Sequence, residues 1–199
     1  RPVAEIQFSG FVYPAYDQLV SHASRMRNRS RGGYTVPLVV RMPYGGGIRA
    51  LEHHSESMEA IFVHVPGLKV VIPSDPYDAK GLLTAAIRDP DPVIFCEPDR
   101  VYRAVRMEVP EESYVVPLGE AKVVREGSDL TLISWGAHVR TAKQAAEHLA
   151  EEGAFNVEVI DVRTLSPFDI DTVAASVVKT GRAVVVQEAP RTGGFASEI

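Results

Sequence analysis

The sequence predicts an α/β protein made of two parallel-sheet domains. Short apolar runs of strand length alternate with helical patterns of about 10 to 15 residues, which is the signature of βαβ units. Hydrophobic residues make up 45% of the chain and charged residues 24%, enough apolar content to bury a core. The periodicity is lost between residues 98 and 118, where Pro98, Pro110 and Pro117 punctuate an acidic stretch. We therefore expect two α/β domains joined by an irregular linker.

Composition excludes several classes of protein. The net charge of -5 gives no sign of the basic surface that nucleic-acid binding needs. No apolar run approaches the roughly 20 residues that span a bilayer. The single cysteine, Cys96, rules out an internal disulfide and favours a reducing compartment. The chain opens at Arg1, and residues 193–199 read as a helix just beginning, so we expect a piece of a longer polypeptide, truncated at both ends.

Eight strands are predicted from the apolar runs. The turn Glu126-Gly127-Ser128-Asp129 separates the fifth from the sixth, which favours a hairpin at that point. The predicted strands are Val3–Phe8, Leu38–Met42, Leu68–Ile72, Val93–Cys96, Ala121–Arg125, Leu130–Trp135, Val157–Asp161 and Ala183–Gln187.

Helices are predicted between these strands from apolar periodicity and from caps. Pro14 and Pro76 stand in first turns, where a missing N–H costs little. Ser166-Pro167-Phe168-Asp169 combines a cap, a first-turn proline and an acid, which predicts another helix start. The remaining predicted helices begin near Tyr13, span Ser57–Val63, run from a cap at Ser74 or Asp75 to about Arg88, and span Val139–Glu152 with Gly153 as the stop.

The segment from Pro43 to Ser55 is the most informative candidate for a site. Gly45, Gly46 and Gly47 let the backbone approach a ligand closely, and the paired His53 and His54 follow. A flexible loop with surface histidines is the ordinary alternative. The lysine ending of a phosphate-binding loop is absent, and the histidine spacing does not suit zinc. The other histidines are interpreted as structural or solvated: His22, His64, His138 and His148.

Two further segments follow predicted strands, where open α/β sheets bind ligands. Glu5 to Pro14 places an amide, Gln7, and an aromatic ring, Phe11, at a strand end, a set that suits a planar heteroaromatic ligand. The alternative is that these aromatic residues belong to the core. Glu188 to Gly194 has the character of an anchoring or interface loop.

Motifs spread over the whole chain resemble the beta subunits of thiamine-diphosphate-dependent 2-oxo acid dehydrogenases. The ending Glu188-Ala189-Pro190 with 192–199 is most similar to the branched-chain type, and the pyruvate and acetoin types are close. The motifs are Glu5-Ile6-Gln7-Phe8, Pro37-Leu38-Val39-Val40-Arg41, His54-Ser55, Pro66-Gly67-Leu68-Lys69-Val70-Val71, Phe95-Cys96-Glu97-Pro98, Val159-Ile160-Asp161 and Lys179-Thr180-Gly181-Arg182.

The resemblance implies a transketolase-like pyrimidine-binding domain at 1–105, a linker at 106–116 and a transketolase C-terminal-type domain at 117–199. It also implies an α2β2 heterotetramer with an alpha subunit and a second beta subunit. The alpha subunit would hold the diphosphate of the cofactor through Mg²⁺, and a lipoyl acyltransferase core would receive the product. The implied location is the cytoplasm, or the mitochondrial matrix in a eukaryote.

The resemblance also implies roles for individual residues. Gln7 and Phe11 match positions that line the aminopyrimidine ring, and His54 matches a catalytic histidine that handles a proton during acyl transfer. The glutamate that activates the cofactor in this family lies N-terminal to this chain, and Glu5 is not its counterpart. A structural monovalent cation, usually K⁺, would be held largely by backbone carbonyls at Val36, Leu38, Val39, Ala86, Asp89 and Asp91.

We therefore expect oxidative decarboxylation of a branched-chain 2-oxo acid, 3-methyl-2-oxobutanoate, with acyl transfer to lipoamide. A pyruvate or acetoin dehydrogenase beta subunit is the near alternative. A transketolase or related synthase is a weaker enzyme interpretation. A non-catalytic subunit that keeps the fold and binds a partner is an alternative from a different class, although Gln7, Phe11 and His54 are all residue types suited to the reaction.

Overall fold

The computed structural model describes residues 1–199 and contains two β-sheets. Between Pro98 and Lys122 the chain contains no helix or strand, as expected of the predicted linker. The strands are β1 (Val3–Glu5), β2 (Val39–Tyr44), β3 (Lys69–Val71), β4 (Val93–Pro98), β5 (Lys122–Arg125), β6 (Leu130–Ser134), β7 (Val157–Asp161), β8 (Thr164–Ser166) and β9 (Ala183–Val186).

Six α-helices lie between the strands. The first predicted helix is an irregular run in which a π-helical turn, Gln18–His22, and a 3-10 turn, Ala23–Arg25, separate α1 from α2. No helix is both long and apolar enough to cross a membrane. The helices are α1 (Tyr13–Asp17), α2 (Met26–Arg29), α3 (Glu59–Val63), α4 (Pro76–Arg88), α5 (Ala137–Glu151) and α6 (Ile170–Thr180).

The strand order confirms an α/β fold with two largely parallel sheets. The first sheet has the order β1-β2-β4-β3-β8, and only β8 runs antiparallel. The second has the order β5-β7-β6-β9, and only β5 runs antiparallel. Because β8 comes from the second half of the chain and pairs with β3, the first sheet contains strands from both halves of the chain. Domain boundaries at 105 and 117 therefore stay a prediction.

Two local predictions are wrong, and tertiary pairing explains both. The β5–β6 hairpin does not form, because β7 lies between those strands and pairs with each of them. Ser166 does not cap a helix, because it ends β8 opposite Val70. Its peptide bond to Pro167 is cis, and α6 begins at Ile170 with Asp169 as cap, whose carboxylate accepts the Thr172 N–H at 3.0 Å.

The largest apolar core lies between the two sheets and takes residues from both halves of the chain. Ile72 and Phe62 enter it from the first half, and Ile133 and Trp135 from the second. Smaller cores pack under α4 and α5. The N-cap of α4 is Asp75, as predicted, and its carboxylate accepts the Asp78 N–H at 2.7 Å. This shared core fixes the carboxyl ends of β2 and β9 against each other, where the candidate site lies.

Candidate functional site

An exposed aromatic platform stands where the chain leaves β1. Ser9–Phe11 form a 3-10 turn, and the Phe11 side chain is 39% exposed. Its ring centroid lies 5.2 Å from that of His54, edge to face. Phe8 contacts the other side of the same imidazole at 4.7 Å. The structure thus brings Phe11 and His54 into one surface site, and neither ring is buried in a hydrophobic core.

Glycine at position 10 permits this approach. A Cβ on Gly10 would overlap the backbone of His53, so only glycine lets the turn lie against the histidine pair. The Glu56 carbonyl then joins the two segments. It accepts the Ser9 Oγ–H at 2.8 Å and the Gly45 N–H at 2.9 Å. One carbonyl therefore ties the aromatic turn to the start of the glycine segment.

The glycine segment after β2 is a loop in an unusual backbone conformation. Gly45 and Gly47 have φ of 79° and 149°. Three residues that carry side chains, Arg49, Glu52 and His53, also adopt positive φ, at 57°, 41° and 63°. Residues other than glycine are uncommon at positive φ, and those that adopt it cluster at functional sites. We name residues 45–56 the glycine loop.

The His54 imidazole is oriented by its own loop. Its Nδ1 lies 2.7 Å from the Glu52 carbonyl oxygen, an acceptor, so Nδ1 carries the proton in the neutral ring. The Nε2 atom is then free to accept a proton from a ligand. In this tautomer Nε2 can act as a general base, and it becomes a general acid once it has taken up a proton.

A buried carboxylate, Glu59, lies beneath the glycine loop and was not singled out from the sequence. It is fully buried in the first turn of α3 and its Oε1 accepts the Trp135 Nε1–H at 3.2 Å. Burial raises the pKa of its carboxyl above the usual value. A single glutamate in a short amphipathic helix carries no signal of burial, so only the fold reveals this contact between the two halves.

Acidic groups also gather on the far side of the loop. Burial, followed by the charges of Glu188 and Glu97, raises the pKa of Asp99 to about 6. Glu188 follows β9, and its Oε1 accepts the Gly46 N–H at 2.8 Å. The expectation that residues 188–194 act as an anchoring loop is met at its first residue, which holds the glycine loop from the second sheet.

Gln7, the other residue expected to contact a cofactor, lies exposed between β1 and the aromatic turn. The residues expected around a monovalent cation gather elsewhere, at the start of β2 and the end of α4. There the Asp89 carboxylate pairs with Lys69 at 2.5 Å and the Asp91 carboxylate with Arg27 at 2.5 Å. These ion pairs involve side chains, whereas the expected cation ligands are largely backbone carbonyls, so the potassium site stays a prediction.

Comparison with known families gives the class of the protein. Residues 1–105 match the family described as transketolase, pyrimidine binding domain, and residues 119–199 match transketolase, C-terminal domain. The first match spans more than half of the chain. The chain therefore belongs to the transketolase pyrimidine-binding domain family, and it continues into a transketolase-type C-terminal region.

The individual relatives narrow the class further. The chain is 58% identical to the pyruvate dehydrogenase E1 component subunit beta of Acholeplasma laidlawii and 53% identical to that of Bacillus subtilis, over 199 residues. Each match covers 100% of this chain and 61% of the relative, so the chain spans about three fifths of their length. A split gene transketolase, solved as an inactive beta4 tetramer, shares the fold, with a TM-score of 0.81 and 22% identity over 98% of this chain and 60% of that one.

These names correct the expected substrate type. The sequence ending favours a branched-chain enzyme, but the relatives reported above are pyruvate dehydrogenase subunits. Identity over 199 residues weighs far more than similarity over a dozen residues at the end of the chain. The pyruvate alternative is therefore the better supported of the two.

Proposed function

We propose that this chain is part of the beta subunit of a pyruvate-type 2-oxo acid dehydrogenase that uses thiamine diphosphate. The observation that carries the proposal is the solvent-facing Phe11 ring set edge to face against His54 at 5.2 Å. Names of relatives at 53% and 58% identity support the same enzyme. The substrate, the partners and the activity of the complete protein all belong to the proposal.

The residues at the site fit the cofactor chemically. An exposed phenylalanine and an exposed amide, Gln7, four positions earlier in the chain, suit an aminopyrimidine, which stacks on an aromatic face and forms hydrogen bonds at its edge. Bound thiamine diphosphate would supply the electron sink that lets a 2-oxo acid lose carbon dioxide. Phe11 would stack on the pyrimidine and Gln7 would contact its edge, so both residues orient the ring rather than react.

His54 would move a proton at its Nε2 atom. Its Nδ1 proton is committed to the Glu52 carbonyl, so Nε2 is the atom that faces a substrate. An imidazole can both accept and donate a proton, which suits a group that handles a proton during transfer. We place this transfer at the step in which an acyl group passes to a lipoyl thiol.

The site also has the surface expected of a subunit interface. Phe11, Tyr13, Ile48 and Leu51 are large hydrophobic residues that are 39% to 88% exposed, and they lie on the aromatic turn, the start of α1 and the glycine loop. A concentration of exposed apolar side chains marks a surface that another protein covers. We propose that the alpha subunit covers it and supplies the diphosphate and Mg²⁺ side of the cofactor, in an α2β2 assembly that delivers acyl groups to a lipoyl acyltransferase core.

The cofactor part of this proposal is tested by binding. The full-length chain is combined with its alpha subunit, and thiamine diphosphate affinity is measured by calorimetry for the wild type and Phe11→Ala. Loss of stacking should cost about 0.5–1.5 kcal/mol beyond the lost apolar contact, at least a 2- to 10-fold weakening. Tyr34→Ala removes an aromatic side chain that is 71% exposed elsewhere and should leave affinity unchanged. Equal affinity for wild type and Phe11→Ala would remove Phe11 from the cofactor site.

The reaction part is tested by separating decarboxylation from acyl transfer. Decarboxylation of pyruvate is compared with that of 3-methyl-2-oxobutanoate, using an artificial electron acceptor and then a lipoyl domain. His54→Ala should slow transfer to the lipoyl domain far more than it weakens cofactor binding, and the exposed His64→Ala serves as control. Normal lipoyl transfer in His54→Ala would take this residue off the catalytic list. A complex that binds no cofactor and decarboxylates neither acid would end the proposal.

A further inference from the structure

The carboxylate of Glu188 reaches from the second sheet into the glycine loop of the first. Its Oε1 accepts the Gly46 N–H at 2.8 Å across 142 positions of sequence. The side chain is only 20% exposed, so the bond is largely shielded from competing water. A charge-assisted bond to a backbone amide is roughly twice as strong as a neutral one.

The two glycines at this contact are needed for the carboxylate to approach. A Cβ on Gly45 would lie 2.5 Å from Glu188 Oε2, and one on Gly46 would lie 3.2 Å from Oε1. Gly45 also has a φ of 79°, which side chains rarely allow. Gly45 and Gly46 therefore leave the space that the Glu188 carboxylate occupies, apart from any role toward a ligand.

A shift of the Gly45–Gly46 backbone would displace Phe11 and His54. Gly45 donates its N–H to the Glu56 carbonyl, which also accepts the Ser9 hydroxyl. Ser9 begins the turn that carries Phe11, and Glu56 follows His54 by two residues. Hydrogen bonds and the short backbone segments between them therefore link Glu188 to both Phe11 and His54.

The surroundings of Glu188 are mixed in charge. His138, in the first turn of α5, has its Nδ1 3.9 Å from Glu188 Oε2, an ion-pair distance when the ring is protonated. Asp99 and the buried Glu59 lie near enough for the charge of Glu188 to act on both. The Gly46 N–H orients the Glu188 carboxylate, because it donates a hydrogen bond to Oε1.

We propose that Glu188 is a positioning residue through which the second α/β unit sets the glycine loop, and with it the imidazole of His54. It touches no reacting group, and it acts by holding the Gly45–Gly46 backbone. The structural part stands on the hydrogen bond and the close approach at the two glycines. The catalytic consequence rests on the function proposed above.

The structural part is tested by hydrogen exchange of peptides covering residues 45–56 in the full-length chain bound to its alpha subunit. Glu188→Asp keeps the charge and shortens the reach, whereas Glu188→Gln keeps the reach and an acceptor oxygen. We expect Glu188→Asp to raise exchange in the loop about 10- to 100-fold, the range for losing a hydrogen bond to a charged group. Glu188→Gln keeps a neutral hydrogen bond about half as strong, so loop exchange should rise clearly less than in Glu188→Asp, by no more than about 10-fold. The exposed Glu151→Ala should change nothing.

Two results would overturn the proposal. One is unchanged loop exchange in Glu188→Asp. The other is an equal rise in the loop and in the buried β7 peptide, which would indicate general destabilisation. Because this readout does not depend on activity, it remains valid even if the wild-type complex decarboxylates nothing and the proposed function fails.

The catalytic consequence is read from a split between rate and binding. Glu188→Asp should lower kcat for transfer to the lipoyl domain about 10-fold, the effect of about 1.4 kcal/mol, while the cofactor Kd changes less than about 3-fold. Glu188→Gln should restore most of the rate. Faster loop exchange with a normal transfer rate would overturn the catalytic consequence and leave the structural coupling standing.

Discussion

Replacing Asp161 with asparagine should make the stability of the fold less dependent on pH. Asp161 ends β7 with no exposed surface, and burial together with the charge of Asp78 raises the pKa of its carboxyl to about 7. The Ser74 hydroxyl and the Arg163 N–H, at 3.1 Å, donate to the carboxyl and partly oppose this rise. Asparagine has the same shape and no charge, so it removes the titration and keeps an acceptor oxygen.

The magnitude follows from the difference between the folded and unfolded pKa values. The unfolded carboxyl titrates near 3.9, so between about pH 4 and pH 7 the folded state holds a proton that the unfolded state has released. The free energy of unfolding therefore falls by about 1.4 kcal/mol per pH unit over this interval. The stabilisation is complete below about pH 4 and is lost as pH rises through about 7. From pH 5 to pH 8 the loss from this one carboxyl is about 2.5 kcal/mol.

The assay is urea unfolding of the full-length chain at a series of pH values between about 5 and 8. The quantity to plot is the free energy of unfolding of Asp161→Asn minus that of the wild type, because other titrating groups cancel in the difference. This difference should grow by about 2.5 kcal/mol with rising pH. Asp171→Asn, at an exposed position of α6, controls for the loss of a carboxylate. A difference that does not change with pH would refute the reasoning.

Three more predictions concern the site and its support. Glu59→Gln should raise the free energy of unfolding more at pH 8 than at pH 5, because the folded pKa of Glu59 is raised in the same direction; thermal unfolding at both pH values checks this. Gly10→Ala should weaken thiamine diphosphate binding in the complex, since its Cβ would push the aromatic turn away from His53; calorimetry would show the loss, and wild-type affinity would contradict it. If the cation predicted near Asp89 and Asp91 exists, exchanging Na⁺ for K⁺ should stabilise the chain by about 1–3 kcal/mol at a saturating concentration, and identical melting in both salts would argue against the site.

Local sequence signals were sufficient where an element is set by its own residues. The bounds of β7, Val157–Asp161, were predicted because Val157, Val159 and Ile160 are β-branched residues that favour a strand. The start of α4 was predicted from Asp75 and Pro76, whose capping chemistry is local. These elements would form the same pattern in many folds, so their signals survive without tertiary information.

Signals failed where a distant strand decides the outcome. The Gly127 turn is compatible with a hairpin, yet β7 occupies the space between β5 and β6. Ser166 and Pro167 suit a helix start, yet the pairing of β8 with β3 extends the chain there. Strand order depends on which apolar faces the whole chain can cover, and no window of a few residues contains that information.

The candidate site contains one contact that the sequence predicted and one that it did not. That Phe11 and His54 approach each other was expected, because both follow the carboxyl ends of neighbouring parallel strands, β1 and β2. The contact of Glu188 with Gly46 could not be read in this way, since it joins two sheets whose relative placement the sequence pattern leaves open. Residues at strand ends within one sheet are thus accessible to sequence reasoning, and residues that lock two sheets together are not.

The backbone strain of the glycine loop explains why it needs the hydrogen bond to Glu188. Three side-chain-bearing residues at positive φ cost about 1–2 kcal/mol each, or about 3–6 kcal/mol together. Four neutral hydrogen bonds, from Gly45 and Ser9 to Glu56, from Ser55 to Ala50 and from His54 to Glu52, contribute about 0.5–1.5 kcal/mol each. The charged bond from Gly46 to Glu188 contributes about 1.5–3 kcal/mol, the largest single share of what offsets the backbone strain. Exchange of residues 45–56 in the wild type should therefore be slow, and rapid exchange there would mean that the bond to Glu188 does not order the loop.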